Sequence, residues 1–449
     1  MQFPAPIKPQ APPMGAATAQ PMVSLVIFLF FARGFCTVLL DALIPKLKSL
    51  FELSYTEAML TQFCFFLGYL IFSIPAAYIL VRIGYIRAIV LGLVVMTAGC
   101  LTFSPAALLG LYPGFLAALF IMAAGMTIMQ VTSNPLIAFL GPSKTSYSRL
   151  TLAQAFNALG TTVGPLVGAW LILGSAGVPS AGQTLDVRNA VRIAEAHALQ
   201  LPFLVIAGIL AVVAIIFWAN RQHPVPKINV INRDIFSGFR LLRNYRFALG
   251  AISIFVYVGA EVSVGSIMVN YLAQDSVLGI TPFRAGQLLT LYWGGAMCGR
   301  FIGSAVLRSV PPGIALSFCG ALAALLALLS AYTTGTIAAV AIIAIGLCNS
   351  IMFPTIFMLA LESLENDKPN GSGILCMAIV GAAVVPVITG AVADRWGLAF
   401  ALLVPAICYV WIALYGKSSG RHSSHNIDTE FTRQRPVTET RRLPKFQDS

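Results

Sequence analysis

Charged side chains are scarce in this chain. Asp, Glu, Lys and Arg make up 10% of its 449 residues, against about 25% in a soluble globular protein. Hydrophobic residues make up 58%, and the mean hydropathy is +0.85. That balance excludes a water-soluble fold, which has no use for so much apolar surface, and makes the bilayer the solvent. Histidine is rarer still, with 4 in the chain. No CxxC pair and no His/Cys cluster at metal-ligand spacing occurs, so no metal or other cofactor is expected. The cysteines (Cys36, Cys64, Cys100, Cys298, Cys319, Cys348, Cys376 and Cys408) lie nearly all inside apolar runs and read as small hydrophobes. A catalytic cluster is also missing, so the chain is not expected to be an enzyme. Residues 1–21 lack the basic start and apolar core of a signal peptide.

What is present is a series of apolar runs, each long enough for a helix of roughly 20 residues to cross a bilayer. They fall at about 22–45, 57–81, 87–104, 114–140, 150–174, 199–219, 247–273, 285–308, 313–331, 336–361, 371–393 and 398–416. The expected fold is therefore all-α and membrane-embedded, with twelve transmembrane helices. The net charge of +12 would fit nucleic-acid binding in a soluble protein. Here the basic residues sit between and after the apolar runs, which is the positive-inside pattern, and no nucleic-acid partner is expected. Arg82 and Arg87 follow the second run, Lys144 and Arg149 flank the fourth-to-fifth link, and Arg221, Lys227, Arg233, Arg240, Arg243 and Arg246 fill the link after the sixth. The opposite loops are poorer in Lys and Arg, with Lys46, Lys48, Arg188 and Arg192 as exceptions. Both termini are thus expected in the cytoplasm of a multi-pass inner-membrane protein. Residues 1–21, rich in Pro, Ala and Gln, and the basic stretch 417–449 read as disordered tails, the second placed to touch anionic lipid.

The link at 220–246 divides the runs into an N-terminal half, 22–219, and a C-terminal half, 247–416, which echo each other. "EAMLTQFCFFLGYLI" from Glu57 resembles "RAGQLLTLYWGGAMC" from Arg284, aligning Gly68 with Gly295. "NALGTTVGPLVGAWL" from Asn157 resembles "AIVGAAVVPVITGAV" from Ala378, aligning Pro165 with Pro386. Internal symmetry of this kind marks transporter folds that hold their substrate between the repeats. It disfavours a channel, which is more often built from several identical chains around a pore.

A carboxylate in mid-bilayer costs on the order of 3 kcal/mol on insertion scales, so ionisable residues in spans are functional candidates by default. Asp41 and Arg33 lie in the first run, Glu261 in the seventh and Arg300 in the eighth. Asp41 reads either as a partly solvated helix-end carboxylate or as a coupling group. Glu261 reads as a coupling group, a sugar-hydroxyl acceptor or half of an ion pair. The rough repeat correspondence of Arg33 and Glu261 leads us to expect that they pair across the pseudo-two-fold axis; Arg300 is read as a gate or ion-pair residue. Gln130 and Asn134, four apart, share a helix face, as do Gln154 and Asn157, three apart. Amides offer donors and acceptors without a charge penalty, which suits a polyhydroxylated sugar; the alternative is interhelical hydrogen bonding. Asn270 and Asn349 are further candidates of the same kind. Tyr257, Tyr292, Trp293 and Phe353 would stack on a sugar face or simply pack. Pro135, Pro165, Pro354, Pro386 and Pro405 interrupt spans and bend them.

"VTSNPLIAFLGP" from Val131 and "RLTLAQAFNALGTTVGPLVG" from Arg149 resemble the signature of the fucose permease-type branch of the major facilitator superfamily. "YVGAEVSVGS" from Tyr257, "GGAMCGRFIGS" from Gly294 and "MFPTIFMLAL" from Met352 are more similar to the bacterial glucose/galactose transporters of that branch. The resemblance covers about residues 22–415. It implies two pseudo-symmetric six-helix halves, alternating access and uptake of a small sugar by a monomer. The coupling ion it implies is usually a proton, with sodium as the alternative. A conserved first-span aspartate of the family matches Asp41, and its fourth- and fifth-span amides match Gln130, Gln154 and Asn157. N-acetylglucosamine or another sugar derivative, and a non-transporting nutrient sensor, are the competing functions. The chain departs from the family at Leu40, where Asn is usual, at Thr132–Ser133, and at Arg33, where tryptophan is common. The loop "LVRIGYIRA" from Leu80 has Arg82 and Arg87 but no acid, so a gating ion pair must draw its acid from elsewhere.

Overall fold

The computed structural model describes the backbone of residues 16–50, 55–109, 112–168, 203–223, 225, 236–364 and 367–433; side chains are described for most of these, but not for 16–19, 38–50, 55–64, 104, 107–109, 165–168, 237, 282 or 420–433. The described residues form helices and no strands. In bilayer hydrocarbon every backbone N–H and C=O must be satisfied within the segment, and the helix does this. The N-terminal half contains α1 (Ala16–Leu50), α2 (Tyr55–Ile83), α3 (Tyr85–Leu109), α4 (Tyr112–Phe139), α5 (Ser146–Gly168) and α6 (Phe203–Ala219). The C-terminal half contains α7 (Tyr245–Leu272), α8 (Pro282–Val306), α9 (Pro312–Tyr332), α10 (Gly335–Glu362), α11 (Lys368–Trp396) and α12 (Leu403–Arg433). Among the described residues, 9 helices are long and apolar enough to cross a membrane. The other three, α5, α6 and α8, occupy the places of the remaining expected spans. Helix α6 is short, while α5 and α8 carry the polar load of Arg149, Gln154 and Asn157, and of Arg284, Gln287 and Arg300.

Two boundaries differ from expectation. Residues 16–21, assigned to the N-terminal tail, open α1, and α12 continues through 417–433 of the expected C-terminal tail. A helix already nucleated in the membrane adds each further residue at little cost, and no proline intervenes between Pro405, in the first turn of α12, and Pro436. The remaining tail residues, 1–15 and 434–449, lie outside the described residues. So does 226–235 of the linker; its end carries the short helix Ser237–Arg240 and the 3-10 turn Leu241–Arg243. Asn244 then caps α7, its side chain accepting from the Arg246 and Phe247 amides, and it donates to Ser363 O at 3.0 Å.

The two halves pack by the same rule. In the first half α1 lies against α5, α2 against α4, and α3 against α4; in the second, α7 lies against α11, α8 against α10, and α9 against α10. Between the halves α5 meets α8 and α11 meets α2, which is one contact repeated by the pseudo-two-fold axis. The glycines make this visible. A Cβ on Gly160 of α5 would stand 2.3 Å from Phe31 O of α1, and one on the aligned Gly381 of α11 would stand 2.0 Å from Phe255 O of α7. Only glycine lets two helix backbones approach so closely. Gly68 sits against Ala123 of α4 and its repeat mate Gly295 against Leu347 of α10. This contact pattern pairs Phe31 with Phe255, so Arg33 corresponds to Tyr257, one turn before Glu261.

The halves close on each other at the end that carries Arg82, Arg87, Lys144 and Arg149. Gly84, at φ +85°, makes the single-residue link from α2 to α3 there. Ser304 Oγ donates to Ser148 O at 2.9 Å, Arg308 Nε donates to Ser148 Oγ at 3.3 Å, and Ser372 Oγ donates to Val131 O at 2.7 Å. Tyr147 donates its hydroxyl to the carboxylate of Glu362. Glu362 thus brings a carboxylate to this interface, where it accepts from Tyr147. Each of these bonds joins an N-terminal helix to a C-terminal one.

Candidate functional site

Above this closed end, a cavity of about 450 Å³ lies between the halves. Its wall takes Arg33 and Thr37 from α1, Phe65, Phe66 and Tyr69 from α2, Leu119 and Gln130 from α4, and Gln154, Asn157 and Thr161 from α5. The other half supplies Val258, Glu261, Val262, Gly265 and Ser266 from α7, Trp293 and Arg300 from α8, Phe353 and Pro354 from α10, and Ile379 from α11. Eight of the expected site residues therefore converge: Arg33, Gln130, Gln154, Asn157, Glu261, Trp293, Arg300 and Phe353.

Gln130 is oriented by two donors. Arg33 Nη1 reaches its Oε1 at 2.8 Å and Tyr69 Oη reaches the same atom at 3.0 Å. Both lone pairs of that oxygen are used, which leaves the NH₂ group for the cavity. Asn157 Nδ2 donates to Phe30 O at 2.9 Å, at the place where Gly34 lets α1 approach α5. Across the cavity, Arg300 Nη2 stands 3.7 Å from Glu261 Oε1. Neither that oxygen nor Arg300 Nε has a hydrogen-bond partner among the described residues. Trp293 is exposed towards this space, edge-on to Tyr292 at 5.0 Å between centroids, and covers Gly265, whose missing side chain makes room for the indole.

The expected pairing of Arg33 with Glu261 is not made. Glu261 faces Arg300 on the neighbouring helix, and Arg33 bonds Gln130 within its own half. The physical reason is the one-turn offset between Arg33 and Glu261 in the repeat, which aims them at different neighbours. Asn134, Asn349, Tyr257 and Asn270 do not line the cavity. Asn134 is fully buried behind Gln154, whose Nε2 lies 3.5 Å from its Oδ1. Asn349 donates to Tyr292 Oη at 2.8 Å, Tyr292 donates to Glu261 O at 3.0 Å, and Tyr257 donates to Asn349 O at 3.1 Å. This chain ties α10, α8 and α7 together behind Glu261. The Asn349 carbonyl is free for it because the helix is interrupted between Asn349 and Met352, beside Pro354, whose missing N–H leaves the Ser350 carbonyl without its helical donor. Asn270 is exposed on the far part of α7. Asp41 lies in α1, but its side chain is outside the described residues.

Tyr69, Thr37, Thr161 and Ser266 line the cavity without having been singled out. Thr37 lies four residues after Arg33 and Thr161 four after Asn157, so the same-face rule points to both. Tyr69 follows the repeat glycine Gly68 but carries no charge to mark it in an aromatic-rich run.

Comparison with known proteins agrees with this architecture. The family model described as Major Facilitator Superfamily matches residues 26–375. The chain is 50% identical over 389 residues to a glucose/galactose transporter of Brucella abortus, covering 86% of this chain and 91% of that protein. It is 31% identical over 414 residues to the L-fucose-proton symporter of Escherichia coli K12, covering 88% and 92%. The crystal structure of the transporter FucP in the outward conformation superposes with a TM-score of 0.82 at 29% identity, covering 90% of this chain and 99% of that one. With helices in two matching halves and a polar cavity between them among the described residues, this chain belongs to the major facilitator superfamily, in the branch that holds the glucose/galactose transporters and fucose-proton symporters.

Proposed function

We propose that this protein takes up a monosaccharide of the glucose or galactose type across the inner membrane by alternating access, driven by protons, as a monomer with both termini in the cytoplasm. The observation that carries the reading is the cavity between the halves. At about 450 Å³ it falls within the roughly 300–1,000 Å³ of small-molecule sites. Gln130, Gln154, Asn157 and Glu261 offer donors and acceptors to hydroxyls, and Trp293 and Phe353 offer flat apolar faces to a pyranose ring. The names of the relatives point the same way.

The closed basic end is cytoplasmic by the positive-inside rule, which makes this an outward-facing state, as in the similar FucP structure. Transport requires the Tyr147–Glu362, Ser148–Ser304 and Ser372–Val131 contacts to break while the outer ends close. Proton and sugar couple only if each favours the same occluded state. Asp41, eight residues beyond Arg33 on α1, is the residue that takes and releases the proton, by its match to the family's first-span aspartate. The test is uptake of labelled glucose and galactose into proteoliposomes under imposed pH or sodium gradients. Accumulation above equilibrium with a pH gradient, lost in Asp41→Asn while exchange persists, is the expected outcome. A folded protein that moves no sugar in either mode overturns the reading, and accumulation driven only by sodium overturns the choice of ion.

A further inference from the structure

We infer that the outside of the N-terminal half binds an anionic phospholipid of the cytoplasmic leaflet, with one acyl chain in a groove between α3 and α6 and the headgroup on Arg87 and Arg221. The groove has a volume of about 430 Å³ and shares no lining residue with the sugar cavity. Val94 and Leu101 of α3, and Ile215 and Trp218 of α6, stand exposed along it. Ala98, Ala211 and Ala214 leave the space between them. Thr97 also lines it, but its hydroxyl donates back to Leu93 O at 2.8 Å. Towards the outer surface the stacked rings of Phe103 and Phe203, 3.9 Å between centroids, join the two helices. In the other half α9 and α12 repeat this pair. There a Cβ on Gly320 would stand 2.8 Å from Ala413 N, and one on Gly416 2.6 Å from Ser317 N. Glycine brings those backbones together, whereas α3 and α6 leave a groove.

The size of the groove suits a hydrocarbon chain. From Val90 to Leu101 α3 rises about 16 Å, close to half of the roughly 30 Å hydrocarbon core, which is one leaflet. Over that length about 430 Å³ gives a mean cross-section of roughly 26 Å². A second transmembrane helix, about 10 Å across with its side chains, is far too wide to enter. The charge at the mouth selects the headgroup. Arg87 is exposed three residues before Val90, on the same face of α3. Arg221 follows Trp218 by three residues; its guanidinium carbon stands 4.8 Å over the indole and its Nη1 donates to Trp218 O at 3.0 Å. These contacts hold a cation beside the groove, at the depth where tryptophan marks the membrane interface. The stretches 80–87 and 219–233 contain no Asp or Glu. This end is cytoplasmic by the positive-inside rule, where basic residues meet anionic lipid. A zwitterionic headgroup brings its own cation and gains less from the two arginines.

Native mass spectrometry of the full chain tests the site, with protein taken from vesicles of equal parts phosphatidylglycerol and phosphatidylcholine of the same acyl chains. The wild-type protein should retain phosphatidylglycerol preferentially, and Arg87→Gln and Arg221→Gln should each lower that preference about fivefold. Ala98→Phe and Ile215→Trp fill the groove from one helix each and leave both arginines, so each should lose the bound lipid. Equal retention of the two lipids by the wild type overturns the inference, and this comparison does not depend on any variant folding. A preference unchanged in both arginine variants overturns the headgroup site. Lipid that persists in both groove variants overturns the groove. A wild-type dimer that the groove variants dissociate gives the groove to a second copy of the chain and likewise overturns the lipid.

Discussion

Glu261 and Arg300 sit on adjacent helices, mostly buried, with 3.7 Å between charged atoms. Removing one partner of such a pair strands the other in low dielectric, which destabilises more than losing both. Glu261→Gln should therefore lower thermal stability, and adding Arg300→Met should recover part of the loss. A coupling energy of about 1–2 kcal/mol is expected for residues in direct contact, measured by a double-mutant cycle on detergent-solubilised protein. Independent, additive effects would show that the pair is not energetically coupled. These charges were easy to find in the sequence, since each interrupts a run of apolar residues. Their partners were not. Each residue along a helix turns the side chain by about 100°, so a one-turn offset between repeats decides whether Arg33 meets Glu261 or Gln130.

Among the helices, the tightest places are the glycine crossings. Gly160 and Gly381 stand where a Cβ would fall 2.3 and 2.0 Å from a carbonyl oxygen of the facing helix. An alanine there must push α1 from α5, or α7 from α11, and such overpacking costs about 1–3 kcal/mol. Gly390 of α11 has nothing within 4 Å of the corresponding position. Thermal melts of Gly160→Ala, Gly381→Ala and Gly390→Ala should show loss in the first two and none in the third. A null effect at Gly160 and Gly381 would mean that these helices separate freely. The repeat alignment already placed Gly160 opposite Gly381 in register, but their function as contact points emerges only when α1 and α7 are seen to occupy equivalent positions. The break in α10 has a similar history: Pro354 predicts a bend, whereas the use of the freed Asn349 carbonyl by Tyr257 is a tertiary event.

For the whole molecule, the contacts at the basic end hold the two halves in one of two arrangements. Tyr147–Glu362 is the contact with a charged acceptor, and hydrogen bonds to charged groups are worth about 1.5–3 kcal/mol. Tyr147→Phe should shift the population towards the state open at that end by roughly 10-fold or more. Accessibility to a membrane-impermeant thiol reagent checks this, using a cysteine placed at Ala77, which faces Gly373 across the closed interface. Unchanged labelling would remove Tyr147 from the gate. The closing acid at Glu362 could not be read from the chain: it lies 215 residues from Tyr147, and no local pattern connects them.

The sequence by itself determined the solvent, the helical spans, the two-half repeat and the set of polar residues inside the membrane. These follow from hydropathy summed over about 20 residues and from the period of a helix, both properties of neighbours in the chain. Tertiary structure alone decided which of those polar residues share the cavity. Gln130, Gln154 and Asn157 reach it, Asn134 and Asn349 serve the packing behind it, and Arg33 faces it with Gln130 and the Phe30 ring as its uncharged partners. The rotation of each helix about its own axis sets that choice, and it is fixed by close contacts between helices far apart in sequence, such as Gly160 on Phe31 and Gly381 on Phe255.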